Sequence, residues 1–332
     1  MTNIKLVIDE INIDLRSKNK MKTKKKLNFN RALVIGPSGI GNAHIRQYAK
    51  NKISKIAILG KSFKKKRILQ LANSILKKVE IINLKNFNEI KKIKPQIISI
   101  CSPYEFHLKY LLKLKNSKSA FIVEKPFFWL NGVSEKNLLR QTNFFLNTFK
   151  KKIIVNLPMV SLANQLKNKK ATIRNITKLE FCYFTRGKNQ YSKIAIDLLP
   201  HAISFCLSLL KSPLKDFKII FVKKKRFSWS AKIIINRVHC YFLFKHDQRK
   251  KESRLSFKIN EFFFTRMQKK SFGEYKTYLI LKNKKIFIKN PMSDSLNNAI
   301  SFLKNQKHNK FNHHLVVSIM KLTYNLVNWK KN

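Results

Sequence analysis

The sequence predicts an α/β protein in two parts: a doubly wound parallel sheet, then an α+β unit on a large, mostly antiparallel, open-faced sheet. Three observations carry this. Short β-branched apolar runs alternate with helix-length segments as far as Pro126. Strand then follows strand, without long helices between, from Phe217 to Lys289. Finally, 44% of the 332 residues are hydrophobic, enough for a sizeable core in one large or two ordinary domains.

Residues 1–30 read as a basic N-terminal tail. From Arg16 to Lys26 the chain is mostly Lys, Arg, Asn and Ser, with no apolar face to bury. Met21 opens MKTKKKLNFNRALVIG, which would itself make an ordinary cytoplasmic start, so residues 1–20 are expected to pack poorly or to be a mis-assigned start. Residues 31–126 hold the runs ALVIG, KIAILG, VEIINL, QIISICS and AFIVEKP, each taken as a buried parallel strand. Residues 127–332 form the second unit. It begins with a helix over about 134–149, the strand KIIVNL, a helix near 161–167, the strand KLEFCYFTRG and a helix around 198–210. Seven further runs, from FKIIFVKK to KKIFIKN, read as a meander, and helices near 295–304 and 313–327 close the chain. No internal repeat is present.

The 71 Lys+Arg against 16 Asp+Glu give a net charge of +55, which raises nucleic-acid binding. The basic residues, however, run through strands, helices and loops alike. Lys far outnumbers Arg, and Ile, Asn and Phe are also abundant, as A/T-rich codons would produce. A surface made to read bases would use Arg and cluster it. No specific nucleic-acid partner is expected. No stretch of eighteen uncharged apolar residues suggests a membrane span, and no apolar leader precedes a cleavage site. Cys101, Cys182, Cys206 and Cys240 are scattered, as free thiols of a reducing cytoplasm would be, and offer no metal site.

The strand RALVI runs into GPSGIGNAH and a helix. Gly36, Ser38, Gly39, Ile40 and Gly41 thus sit where a dinucleotide pyrophosphate approaches the backbone and rests on a helix N-terminus. This is a Rossmann-type nucleotide-binding turn, with Ser38 at the usual second glycine. The second strand ends in Gly60, Lys61 and Ser62. An NAD-selective site places a carboxylate there; none is present, and Lys61 and Ser62, with positive potential from Lys64–Arg67, suit the 2′-phosphate of NADP. NADP is therefore preferred over NAD. CSPYEFH and VEKPF close two more strands and point into the crevice at their carboxyl ends, and Pro126 holds Lys125 extended.

In their order and spacing, VIGPSGIGNAHIR, CSPYEFH, VEKPF and IDLLPHAISF resemble the Gfo/Idh/MocA family of oxidoreductases. The motifs cover residues 31 to about 210, and the predicted sheet and closing helices extend the resemblance to the rest. It implies that Lys125, between Glu124 and an often cis Pro126, borders both nicotinamide and substrate. It implies that Ser102, Pro103 and His107 lie at the cofactor, and that Asp197 and His201 act on the substrate. His44 matches another recurrent position. It further implies a sugar, cyclitol or nucleotide-linked sugar as substrate, and a homodimer or higher homo-oligomer formed through an apolar face of the second sheet.

Asp197 and His201, at i and i+4, share one helical face. Pro200 between them is tolerated in a first helical turn, which would put Asp197 near the helix start. Asp197 then either caps the helix or acts as a charged partner that raises the imidazole pKa. His201 is either a structural polar residue near the interface or the general acid/base, with Lys125 bound to the same substrate oxygen. Two departures from the family pattern stand out: YSKIAI replaces the usual glycines before Asp197, and Ser204 stands where a second Asp is common. A non-catalytic NAD(P)-binding regulatory or partner-binding protein is the alternative; such a protein needs none of Lys125, Asp197 and His201.

Overall fold

The computed structural model describes residues 27–60, 79–168, 175–249, 252–271, 274–306 and 309–330. Six parallel strands make the first sheet: β1 (Arg31–Ile35), β2 (Lys55–Leu59), β3 (Glu80–Leu84), β4 (Ile97–Ile100), β5 (Ala120–Glu124) and β6 (Ile153–Asn156). Their order is β3-β2-β1-β4-β5-β6, so the winding reverses between β1 and β4. That switch point is where a doubly wound sheet opens its ligand crevice. The helices are α1 (Ile40–Lys50), α2 (Ile90–Ile93), α3 (His107–Lys113), α4 (Glu135–Phe149), α5 (Pro158–Asn168), α6 (Ser192–Leu210), α7 (Pro291–Lys304) and α8 (Lys310–Asn328).

Both faces of the central strands are buried, which is why they read as unbroken apolar runs. On one face, Val34, Ile56 and Ile58 pack with Ile45 and Tyr48 of α1 and with Leu296, Ile300 and Leu303 of α7. On the other, Phe121 meets Phe149 of α4 at 4.7 Å between rings. The division expected at residue 126 is not where the sheets divide. β6 pairs parallel with β5 in the first sheet, and α7, from near the chain's end, covers that same sheet. The rhythm change after Pro126 reflects the long α4 rather than a change of sheet.

The second sheet has eight strands: β7 (Lys178–Thr185), β8 (Phe217–Lys225), β9 (Ser228–Ile235), β10 (Val238–His246), β11 (Arg254–Ile259), β12 (Phe262–Ser271), β13 (Glu274–Leu281) and β14 (Lys284–Ile288). β7 pairs parallel with β10; every other pairing is antiparallel. Asn236 and Arg237 both take positive φ (47° and 69°), giving the two-residue hairpin whose twist suits the flanking strands.

One face of this sheet lies on α6, where Phe205 meets Phe181 at 5.6 Å and Phe257 at 4.7 Å. Burying each such ring contributes roughly 1.5–3 kcal/mol. α6 has the length and mean hydropathy (1.5) of a spanning helix, yet it carries Lys193 and Asp197 and 83% of that stretch is buried in this core. It also starts at Ser192, so Pro200 lies well inside it, not in the first turn. There the missing N–H leaves the Ile196 carbonyl without its helical donor.

Candidate functional site

A cavity of about 1080 Å³ opens at the carboxyl ends of β1, β4 and β5 and is closed on its far side by α6 and the second sheet. Gly39 and Ile40 of the glycine turn, Ser102, Pro103, Glu124 and Lys125 from the strand ends, and Asp197 and His201 of α6 all line it. Gly36, Ser38, Gly41 and His107 do not.

The glycines divide the work. Gly36 has φ +82°, and a Cβ there would stand 2.6 Å from the Ser102 amide nitrogen, while a Cβ on Gly41 would be 2.2 Å from the Gly36 carbonyl oxygen. These two let backbone segments close on each other. Gly39 precedes α1 with no side-chain cap, no acidic residue occupies the first turn, and a Cβ there would meet nothing within 4 Å. The positive end of α1 therefore faces open space in the cavity, as a dinucleotide phosphate requires. Lys61, Ser62 and Lys64–Arg67 lie outside the described residues.

Lys125 is joined to its neighbour by the cis peptide Lys125–Pro126. Its ammonium donates to the Asp197 carboxylate at 2.7 Å and to the Asp197 backbone carbonyl at 2.9 Å. Burial pushes the Lys125 pKa down, but the charge and hydrogen bond of Asp197 outweigh this and hold it above the ordinary lysine value. Reciprocally, burial pushes Asp197 up and the ammonium pulls it below the usual carboxylate range. Asp197 lies in the second turn of α6, and the helix is preceded by Tyr191 with no side-chain cap. It is thus not an N-cap. Nor does it act as the charged partner of His201, whose imidazole is pushed well below its ordinary pKa by burial, then by Lys125 and Arg266. His201 is neutral near pH 7.

Behind Lys125, Glu124 is buried. His44 Nε2 lies 2.8 Å from its carboxylate and Asn156 Nδ2 donates at 2.6 Å. His44 Nδ1 is 2.7 Å from Ser99 Oγ, and Ser295 Oγ donates to Asn156 at 2.6 Å. Burial raises the Glu124 pKa, but these donors and Lys125 bring it below the ordinary value. His107 braces the site from outside the cavity. Its Nε2 faces the Ser102 carbonyl at 2.7 Å, and its Nδ1 faces the carbonyls of Pro126 and Phe127 at 3.1 Å. It ties the loop after β4 to the turn after β5, and burial lowers its pKa.

The sequence reading missed three residues. Tyr183 stands beside His201, with ring centroids 5.5 Å apart, and Arg266 lies over Tyr183 at 5.7 Å. Alternation held their signal, since Tyr183 has the parity of buried Phe181, and Arg266 that of buried Phe264. The third, His246, is buried with neither ring nitrogen in hydrogen-bond geometry, although the Asn189 backbone faces the ring. Burial lowers its pKa against the raising effect of Asp197. A Cβ on Gly187 would fall 2.4 Å from the ring.

A doubly wound sheet with a glycine turn at its first strand and Lys125 after its fifth, facing Asp197 and His201 of α6 across a cleft, defines a Rossmann-type dinucleotide-binding protein. Residues 30–137 match the model of the oxidoreductase family with an NAD-binding Rossmann fold, Gfo/Idh/MocA. Over those residues the chain resembles this family, as its motifs implied.

Among solved structures, UDP-N-acetylglucosamine 3-dehydrogenase GnnA from Acidithiobacillus ferrooxidans superposes with a TM-score of 0.62 at 11% identity, covering 90% of this chain and 97% of its own. The dehydrogenase MviM from Clostridium difficile gives 0.63 at 14%, covering 91% and 99%. The 3-ketoreductase KijD10 from Actinomadura kijaniata, in complex with TDP-benzene and NADP, gives 0.62 at 11%, covering 90% and 97%. At these identities the likeness shows the fold. No curated protein matches the chain by sequence.

Proposed function

We propose that the protein is an NAD(P)-dependent dehydrogenase or reductase acting on a CH–OH or carbonyl carbon of a sugar, cyclitol or nucleotide-linked sugar. The observation that carries this is the convergence of Lys125, Asp197 and His201 on the cavity that also holds the open end of α1. Gly39 and Ile40 would hold the dinucleotide phosphates, and Ser102, Pro103, Glu124 and Lys125 the nicotinamide half. When bound, the cofactor supplies hydride acceptance or donation.

The protein's own residues do the rest. In the oxidation direction, neutral His201 accepts the hydroxyl proton at its imidazole nitrogen. The Lys125 ammonium donates a hydrogen bond to the same oxygen and stabilises the negative charge that develops there. Asp197 keeps Lys125 charged and fixes its position. In reduction, His201 must first take up a proton, which it then delivers to the oxygen. The dehydrogenase and ketoreductase descriptions of the similar structures, one of them holding a nucleotide-linked ligand and NADP, support the substrate class.

The outer face of the second sheet exposes Phe221, Phe263 and Phe287, next to Tyr241 and Tyr278. A second copy of the chain is the proposed cover for that face. A screen of nucleotide sugars with NADP⁺, read by absorbance of the reduced cofactor, tests the activity. A protein that binds NADPH yet turns over no member of the three substrate classes would instead be a non-catalytic binder.

A further inference from the structure

Arg266 occupies an unusual place for a guanidinium. It is half-buried on β12, at the parity of core-facing Phe264, and lines the cavity that holds Lys125 and His201. The Tyr183 ring lies 5.7 Å below it and meets His201 edge-on at 5.5 Å. One aromatic plate therefore carries the guanidinium on its face and the imidazole beside it.

Among the described residues three carboxylates line the cavity, and each already has a partner. Glu124 is held by His44 and Asn156, Asp197 by Lys125, and Asp294 by Ser161. Among the described residues Arg266 has no carboxylate within ion-pair distance. A stacked guanidinium keeps its donor edges turned outward in a fixed fork, which matches the two oxygens of a carboxylate or phosphate.

We propose that Arg266, steadied by Tyr183, seats an anionic group of the substrate, a carboxylate or a phosphate, close to the carbon that reacts at His201 and Lys125. This rests on the dehydrogenase reading above and narrows it: the substrate carries a negative charge near its reacting carbon. The seat is separate from the open end of α1, which takes the phosphates of the cofactor.

Calorimetric titration tests it. Malonate and inorganic phosphate are titrated separately, at constant ionic strength, into protein saturated with NADP⁺ so that the cofactor site is filled. The expected result is one saturable site for at least one of the two anions, weakened by about tenfold or more in Arg266→Gln and partly in Arg266→Lys, which keeps charge but loses the fork. It should be unchanged in Lys218→Gln on distant β8. The stronger anion tells a carboxylated substrate from a phosphorylated one. Unfolding temperatures of the variants show whether each is folded.

The proposal is overturned if Arg266→Gln, folded as the parent, keeps the site, or if the parent binds neither anion more tightly than that variant does. If NADPH itself fails to bind in a fluorescence titration, the dehydrogenase reading fails. The difference in malonate binding between parent and Arg266→Gln, measured without cofactor, then still decides the Arg266 seat.

Discussion

Lys125, at the end of the fifth strand, grips Asp197 of the long core helix twice, through the carboxylate at 2.7 Å and the backbone carbonyl at 2.9 Å. The parallel sheet and the helix that packs on the second sheet are thus fastened at the point where chemistry is proposed to occur. Replacing Lys125 with Ala should lower kcat by roughly 10²–10⁴-fold on an identified substrate, and His201→Asn by a similar factor. NADPH affinity, followed by fluorescence, should barely move for His201→Asn and weaken for Lys125→Ala. Full activity in both variants would refute their catalytic roles.

Asp197→Asn should cost about 2 kcal/mol in chemical unfolding at pH 7, since it leaves a half-buried ammonium without its counter-charge. The sign of the pH dependence follows from the two shifts. The lowered Asp197 stabilises above the ordinary carboxylate pKa and loses that contribution as pH falls through its lowered value. The raised Lys125 stabilises below the ordinary lysine pKa and loses its contribution as pH rises through the raised value. The deficit of the variant should therefore be widest between about pH 5 and 9 and narrow at either extreme. A constant deficit would mean that the pair acts without its charges.

Burial holds the His201 pKa well below its ordinary value, so the proposed role as proton acceptor would persist as the solution is acidified. The rate of alcohol oxidation should stay level from pH 8 down to about 6.5, with the acid limb lying lower. An acid limb centred at or above 6.5, absent from His201→Asn, would contradict the buried position of the ring.

Gly187→Ala should lower stability by about 1–3 kcal/mol, because the new methyl would collide with the His246 ring. Asn189, two residues on, donates to Asp197 at 3.4 Å, so the same change should reduce kcat while leaving NADPH affinity intact. The companion change His246→Ala makes room for the methyl and should recover part of the stability. If it recovers none, the collision is not the cause.

Cofactor choice is proposed to rest on Lys61 and Ser62, which follow the second strand in sequence. NADP(H) should bind more tightly than NAD(H), and Lys61→Asp should weaken NADP(H) while sparing NAD(H). Equal losses for both would make Lys61 structural. Light scattering that shows a strict monomer would likewise reject the second copy placed on Phe221, Phe263 and Phe287.

Much of the architecture was legible because its signals are local. β-branched runs between helix-length segments gave the parallel sheet, and Gly36, Gly39 and Gly41 gave the turn. Those glycines, however, divide between backbone closure and open cavity, a distinction set by Ser102 and the Gly36 carbonyl and visible only in three dimensions. Pro200 misled by rule: proline favours a first turn, but here the packing of α6, buried nearly end to end, outweighs one lost hydrogen bond. With the helix start moved to Ser192, the partner of Asp197 became Lys125, 72 residues away, instead of His201. Tyr183 and Arg266 went unread because parity along a strand gives a face, not what lies opposite it.

The placement of α7 bears on the order in which this chain can fold. Ile45 and Tyr48 of the nucleotide-binding helix are covered by Leu296, Ile300 and Leu303, and the Leu27 amide donates to the Lys304 carbonyl. During synthesis, the half made first would leave the ribosome with that apolar flank bare. It acquires its last layer only after the whole second sheet has been made. An excised fragment ending at residue 156 should therefore aggregate or remain loosely packed. The same fragment supplied with residues 291–304 as a separate peptide should recover compactness.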